Sequence, residues 1–186
     1  MDILEVVGVL IGLLYLWLEY KASMWVWMTG IIMPAIYIVV YYRAGLYADF
    51  GINIYYVLAG VYGLWAWRYG RKDNVELPIT RCPRHRCAML CLAFIVLLVA
   101  IYAVLDRFTD SNVPWADSFT TALSIVGMYM LARKYVEQWL CWIVVDAVCV
   151  PLYIYKGLTP TAALYALYTV IAIAGYYKWR RLCSTQ

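Results

Sequence analysis

The chain has 186 residues, of which 66% are apolar, 17% aromatic and 14% charged, and it carries a formal net charge of +4. A water-soluble domain has about 25% charged residues, and a chain this oily has too little polar surface to cover itself, so a soluble enzyme or binding module is excluded. Nucleic acid is not the partner implied by the positive charge, because 12 of the 15 Lys and Arg sit beside alternate ends of apolar blocks, where membrane topology explains them.

The apolar blocks are of membrane-crossing length and are broken by short clusters of charged residues, Gly and Pro. In chain order they predict spans near 3–18, 24–42, 46–67, 88–105, 117–132, 139–155 and 159–179. The first block lacks a basic leader and a small-residue cleavage site, so it reads as a retained span rather than a signal peptide. Only the connection from Arg68 to Cys87 is long, and it is too short and polar to fold alone. Residues 1–186 are therefore expected to form a single domain.

Counting Lys and Arg on the two sides sets the direction of the chain. One side holds Lys21, Arg68, Arg71, Lys72, Arg81, Arg84, Arg86, Arg133, Lys134, Lys178, Arg180 and Arg181; the other holds Arg43, Arg107 and Lys156. This asymmetry places the C-terminus in the cytoplasm and, with seven spans, the N-terminus outside. His85 falls in the basic loop and reads as a solvated residue. The six cysteines have neither zinc-site spacing nor a disulfide framework and read as small apolar fillers. No metal or cofactor is implied.

Sliding the sequence by 112 positions aligns Trp27 with Trp139, Tyr41 with Tyr153, Gly45-Leu46 with Gly157-Leu158, Tyr56 with Tyr168, Gly63 with Gly175 and Trp67 with Trp179. The expected fold is thus all-α integral membrane, with two three-helix repeats (about 3–67 and about 117–179) joined by a connector helix (about 88–105). Corresponding spans are four apart, so the repeats run parallel, a transporter plan in which substrate binds near the midplane between the bundles. The repeated Gly63, Gly175, Trp67 and Trp179 read as packing residues, the two tryptophans as anchors at the membrane interface.

An ionisable residue within a span is costly, and by default it faces a cavity and serves function. Asp146 lies mid-way along the sixth span, and Trp139 and Trp142 precede it at intervals that place all three on one helical face. Two indoles and a carboxylate suit a flat cation, held by stacking and cation–π attraction. In the third span Asp49, Asn53, Tyr56 and Gly60 form a second polar stripe, with Asp49 near the outer mouth and Asn53 deep enough to hydrogen-bond either a ligand or a neighbouring helix. Glu19, near Lys21 and in line with the Arg133-Lys134 pair of the repeat, reads as structural or gating. Enzyme motifs are absent: there is no paired-His metal site, Gly-rich phosphate loop or serine elbow.

These residues carry a resemblance. Gly12-Leu13-Leu14-Tyr15-Leu16-Trp17-Leu18-Glu19, Leu46-Tyr47-Ala48-Asp49, Trp139-Leu140-Cys141-Trp142-Ile143-Val144-Val145-Asp146 and Leu152-Tyr153-Ile154-Tyr155-Lys156-Gly157-Leu158 together resemble the PnuC family of bacterial vitamin transporters over nearly the whole chain. The resemblance implies seven spans in a 3+1+3 plan similar to that of SWEET sugar transporters. It also implies facilitated diffusion of an unphosphorylated vitamin across the inner membrane, with trapping by a cytoplasmic kinase, and it leaves room for a homo-oligomer. Nicotinamide riboside members look like Trp-x-x-Trp-x-x-x-Asn, whereas this chain has Asp146 in the Asn place, as in the thiamine-type branch, PnuT. An Asp accepts from an aminopyrimidine and pairs with a thiazolium, but it lacks the amide donor that a ribose or carboxamide uses. Thiamine is therefore the expected substrate, with nicotinamide riboside the alternative and riboflavin behind them.

Overall fold

The computed structural model describes the chain except residues 1–2, 45–46, 70–76, 110–112, 156, 158 and 185–186, and it describes the backbone alone at 3–9, 33, 40, 41, 43, 44 and 47–49. Several residues used above therefore lie outside the description: Gly45, Leu46, Arg71, Lys72, Lys156 and Leu158 altogether, and the side chains of Tyr41, Arg43, Tyr47, Ala48 and Asp49.

The described residues form seven helices: α1 (Ile3–Tyr20), α2 (Trp25–Ala44), α3 (Tyr47–Tyr69), α4 (Arg84–Phe108), α5 (Pro114–Ala132), α6 (Gln138–Tyr155) and α7 (Thr159–Ser184). Helices are what such blocks must form, because hydrocarbon offers no partner to an unpaired backbone N–H or C=O. By length and composition α4, α6 and α7 each suffice to cross a membrane, and shorter apolar stretches cover Leu10–Tyr20 and Trp25–Val39. Each expected span matches one helix, with one notable difference. α4 begins at Arg84 rather than near residue 88, because Pro83 at its N-cap has extended backbone (φ −60°, ψ 141°) and presents its carbonyl to the Cys87 N–H at 2.9 Å. Arg84, His85 and Arg86 thus open a helix instead of closing a loop, and Arg180 and Arg181 likewise ride the last turns of α7. His85 is exposed, as expected.

The helices group into two compact units, Met1–Pro78 with α1 to α3 and Ile79–Gln186 with α4 to α7. In the first, α2 packs along α3 and α1 packs against α2. In the second, α4, α5, α6 and α7 each pack on the next. Phe94 meets Phe119 edge to face at 5.5 Å and Tyr102 meets Trp115 at 5.7 Å, which fixes α4 on α5. The opposite side of α4 presents Met89, Leu92, Ile95, Val96 and Val99, all exposed, as suits a helix bathed in lipid.

The turns joining α1 to α2 and α5 to α6 are copies of each other, bond for bond. Ala22 and Lys134, 112 positions apart, both adopt left-handed backbone, with φ of 54° and 52°. In the first turn Ala22 N–H donates to Glu19 C=O at 2.9 Å and Ser23 N–H to Leu18 C=O at 2.9 Å. In the second, Lys134 N–H donates to Leu131 C=O at 2.9 Å and Tyr135 N–H to Met130 C=O at 3.0 Å. Both are Schellman caps, which satisfy the last carbonyls of the helix and turn the chain sharply back. In the second unit this turn also holds the segment before α4. Thr80 N–H donates to Lys134 C=O at 3.0 Å, Val136 N–H donates to Thr80 C=O at 2.9 Å, and Cys82 N–H reaches the Glu137 carboxylate at 2.8 Å. Burial, helped by the Cys87 thiol and by Glu137, pushes the Cys82 thiol up to about 12, so it stays protonated.

Candidate substrate site

The same 112-residue correspondence recurs in the packing inside each unit. Trp27 of α2 meets Trp67 of α3 edge to face at 5.5 Å, and Trp139 of α6 meets Trp179 of α7 in the same way at 5.7 Å. Gly63 lies directly under the Trp27 indole; at Gly175 a Cβ would stand 2.7 Å from the Trp139 ring, closer than any real side chain sits. Here glycine is required because an aromatic face occupies the space of its side chain. All four tryptophans are at most 1% exposed. Trp67 and Trp179 were expected as interfacial anchors; they are instead the inner halves of these locks, since each ring closes on a tryptophan of the neighbouring helix.

Against this shared frame the α6 stripe stands out. About 100° of helix surface holds Gln138, Trp142, Asp146 and Trp139. Asp146 is 6% exposed, and among the described residues no cation contributes to its surroundings. Its electrostatic neighbours are Tyr165 and Tyr168 of α7. Tyr165 stacks on Tyr153 at 5.0 Å, with planes 22° apart, and meets Tyr168 at 5.7 Å. Trp142 rests over Gly127 of α5, and its indole N–H is buried without a hydrogen-bond partner among the described residues. The carboxylate, the Trp142 indole and the tyrosines are thus drawn from adjoining helices of one unit. Trp139 packs on Gly175 and Trp179, and its indole N–H, like that of Trp142, is buried without a hydrogen-bond partner among the described residues.

In the first unit Asn53 is buried and Tyr56 half-buried, with its ring 5.7 Å from Tyr55. Tyr15 of α1 shares its surroundings with Tyr56 and with the fully buried Glu19. Lys21, one expected partner of Glu19, lays its ammonium over the Trp17 ring at 3.8 Å. Asp49 belongs to α3, but its side chain is outside the described residues. The reading from sequence passed over Tyr165 and Tyr168. The signal was available: with the 112-residue offset they are the counterparts of Asn53 and Tyr56.

The sequence profile of the nicotinamide mononucleotide transporter family matches residues 2–181. The chain belongs to the PnuC family of transporters. It is similar to the nicotinamide riboside transporter PnuC of Escherichia coli K12, with 25% identity over 95% of this chain and 84% of that one. It is also similar to the riboflavin/roseoflavin transporter RibM of Streptomyces davaonensis, with 27% identity over 94% and 83% of the two chains. The crystal structure of the vitamin B3 transporter PnuC superposes with a TM-score of 0.73 at 24% identity, covering 96% of this chain and 81% of that one, and supports the helical fold. The protein is accordingly a multi-pass membrane transporter rather than an enzyme, and its substrate is a small molecule.

Proposed function

We propose that the chain carries nicotinamide riboside across the bacterial cytoplasmic membrane by facilitated diffusion, with a cytoplasmic kinase trapping the product. The observation that carries this reading is the buried carboxylate of Asp146, on one helix face with the Trp142 indole and without a cation beside it among the described residues. A carboxylate withdrawn from water and left without a protein cation favours a cationic ligand, and an indole face favours a flat one. Relatives named for nicotinamide riboside support a pyridinium as that cation. Thiamine is the second reading, favoured by one residue: Asp146 stands where the nicotinamide riboside pattern has Asn, and a carboxylate suits an aminopyrimidine donor as well as a thiazolium.

In this proposal Asp146 and Trp142 contact the ring, Tyr165 and Tyr168 border the carboxylate, and Trp139 is a positioning residue that holds α6 on α7. Within the first unit, Asn53, Tyr56 and Asp49 are proposed as further substrate contacts. The whole chain acts as one transporter domain on a 3+1+3 plan, a reading supported by the recurrence of the Schellman turn and of the tryptophan–glycine lock.

Purified protein in liposomes should equilibrate labelled nicotinamide riboside without ATP or an ion gradient. Accumulation above the external concentration with no trapping enzyme present would contradict passive transport, and preferential movement of thiamine would select the second reading. The orientation, with the N-terminus outside, has its own test: a cysteine replacing Asn74 should react with an impermeant maleimide only when the reagent reaches the cytoplasmic face. Reaction from outside in sealed cells would reverse the topology.

A further inference from the structure

The two copies of the helical hairpin provide an internal control for every residue of the α6 stripe. Trp139 corresponds to Trp27 and is locked in the same way. The other three have no equivalent: Gln138, Trp142 and Asp146 occupy the positions of Val26, Gly30 and Pro34 in α2. Val26 and Gln138 are both fully buried, at 0% exposure. Both head the helix after the same turn, with Val26 N–H donating to Ser23 C=O at 3.0 Å and Gln138 N–H to Tyr135 C=O at 3.2 Å. Valine fills this position without any polar atom to satisfy, so the hairpin itself has no need of an amide. Yet in α6 neither Oε1 nor Nε2 of Gln138 hydrogen-bonds to any group among the described residues. A buried amide left unsatisfied destabilises the fold, and an apolar residue of similar shape would be neutral or better.

We propose that Gln138 is a specificity-determining ligand contact, which takes the hydroxyl-bearing arm of the substrate while Asp146 holds the ring. The three residues recur at i, i+4 and i+8, one above another, and the eight-residue separation is about 12 Å along the helix. Between the two ends lies the Trp142 indole, whose own N–H is also without a partner. An amide both donates and accepts, which matches a hydroxyl group; a carboxylate matches a cation. The proposal rests on the reading of the substrate as a flat ring with a hydroxylated arm, a description that fits the ribosyl group of nicotinamide riboside and the hydroxyethyl group of thiamine.

The test replaces the amide with the residue that the other copy uses, Gln138→Val, with Gln138→Met as the alternative should valine fail to fold. Binding of nicotinamide riboside and of ring-N-methylated nicotinamide, which keeps the cation and lacks the sugar, is measured by calorimetry on the full chain in detergent. The variant should bind nicotinamide riboside about tenfold more weakly, bind the methylated ring as the parent does, and melt no lower than the parent. Equal weakening of both ligands, or unchanged binding of nicotinamide riboside, would overturn the proposal. Should the parent bind thiamine instead, the same comparison is made between thiamine and its analogue without the hydroxyl. A parent that binds neither vitamin overturns the function reading itself, and this inference with it, before any variant is compared.

Discussion

Asp146→Asn should weaken binding of the cationic substrate by ten- to a hundredfold while leaving the melting temperature of the protein nearly unchanged. The substitution keeps the shape of the side chain and removes its charge. Losing a charge-assisted contact typically costs about 1.5–3 kcal/mol, and each 1.4 kcal/mol or so is tenfold in affinity. Stability should hold because Asp146 has no cation to lose among the described residues, and a neutral amide is easier to bury than a carboxylate. Calorimetric titration of the solubilised protein with nicotinamide riboside and with thiamine measures the effect and ranks the two substrates together. If the Asn variant binds the better ligand as tightly as the parent does, the carboxylate is structural and the case for a cationic substrate fails. If it binds nicotinamide riboside more tightly and thiamine more weakly, residue 146 is a selector between the two.

Trp139→Ala should be the most damaging single change to the fold of the second unit. The ring is fully buried between Gly175 and Trp179, and truncating a buried Trp typically costs about 3–5 kcal/mol, part from lost transfer and part from the cavity left behind. In a bilayer the transfer part shrinks, because lipid is as apolar as the protein interior; close packing is what holds helices together there. The cavity part remains, since a rigid ring has been removed from a slot that glycine leaves open. Thermal unfolding followed by fluorescence-detected size exclusion should therefore show a large fall in melting temperature, whereas Trp142→Ala should act chiefly on binding. Gly175→Ala checks the same contact from the other side: its methyl would enter the indole, and overpacking of this kind costs about 1–3 kcal/mol. A Trp139→Ala protein as stable as the parent would remove the lock from the account of the fold and return Trp139 to the substrate.

Helix number and approximate ends could be read from the sequence because each apolar block is long and each break is charged. Hydropathy measures depth along the membrane normal, and that is all the seven spans required. It carries no information on which way a residue faces around its helix or what it meets there. Trp67 and Trp179 lie near span ends, so the sequence suggested interfacial rings, but their partners are tryptophans on another helix and they are buried. Gln138 opens α6, where hydropathy alone puts a polar residue at the edge of a span, yet after the Schellman turn it is fully buried. The start of α4 was misjudged for a related reason: arginines suggest a loop, yet Pro83 had already set the chain to enter a helix. Asp146 and Trp142 stood out because a carboxylate mid-span is expensive. Tyr165 and Tyr168 did not, because in a chain with 19 tyrosines the residue type alone distinguishes none of them.

The division between shared and unshared positions in the two hairpins bears on how such a chain can evolve. In the tryptophan seated on glycine, which recurs in both hairpins, the two members are coupled: changing one leaves a clash or a hole at the other, so a single mutation there costs packing in either hairpin. The positions of Gln138, Trp142 and Asp146 are uncoupled from that machinery, as α2 demonstrates by folding the same turn and lock with Val26, Gly30 and Pro34 in their place. On the proposed site, cargo preference would drift by single substitutions along one stripe of α6 without disturbing the turn and the lock that hold the hairpin.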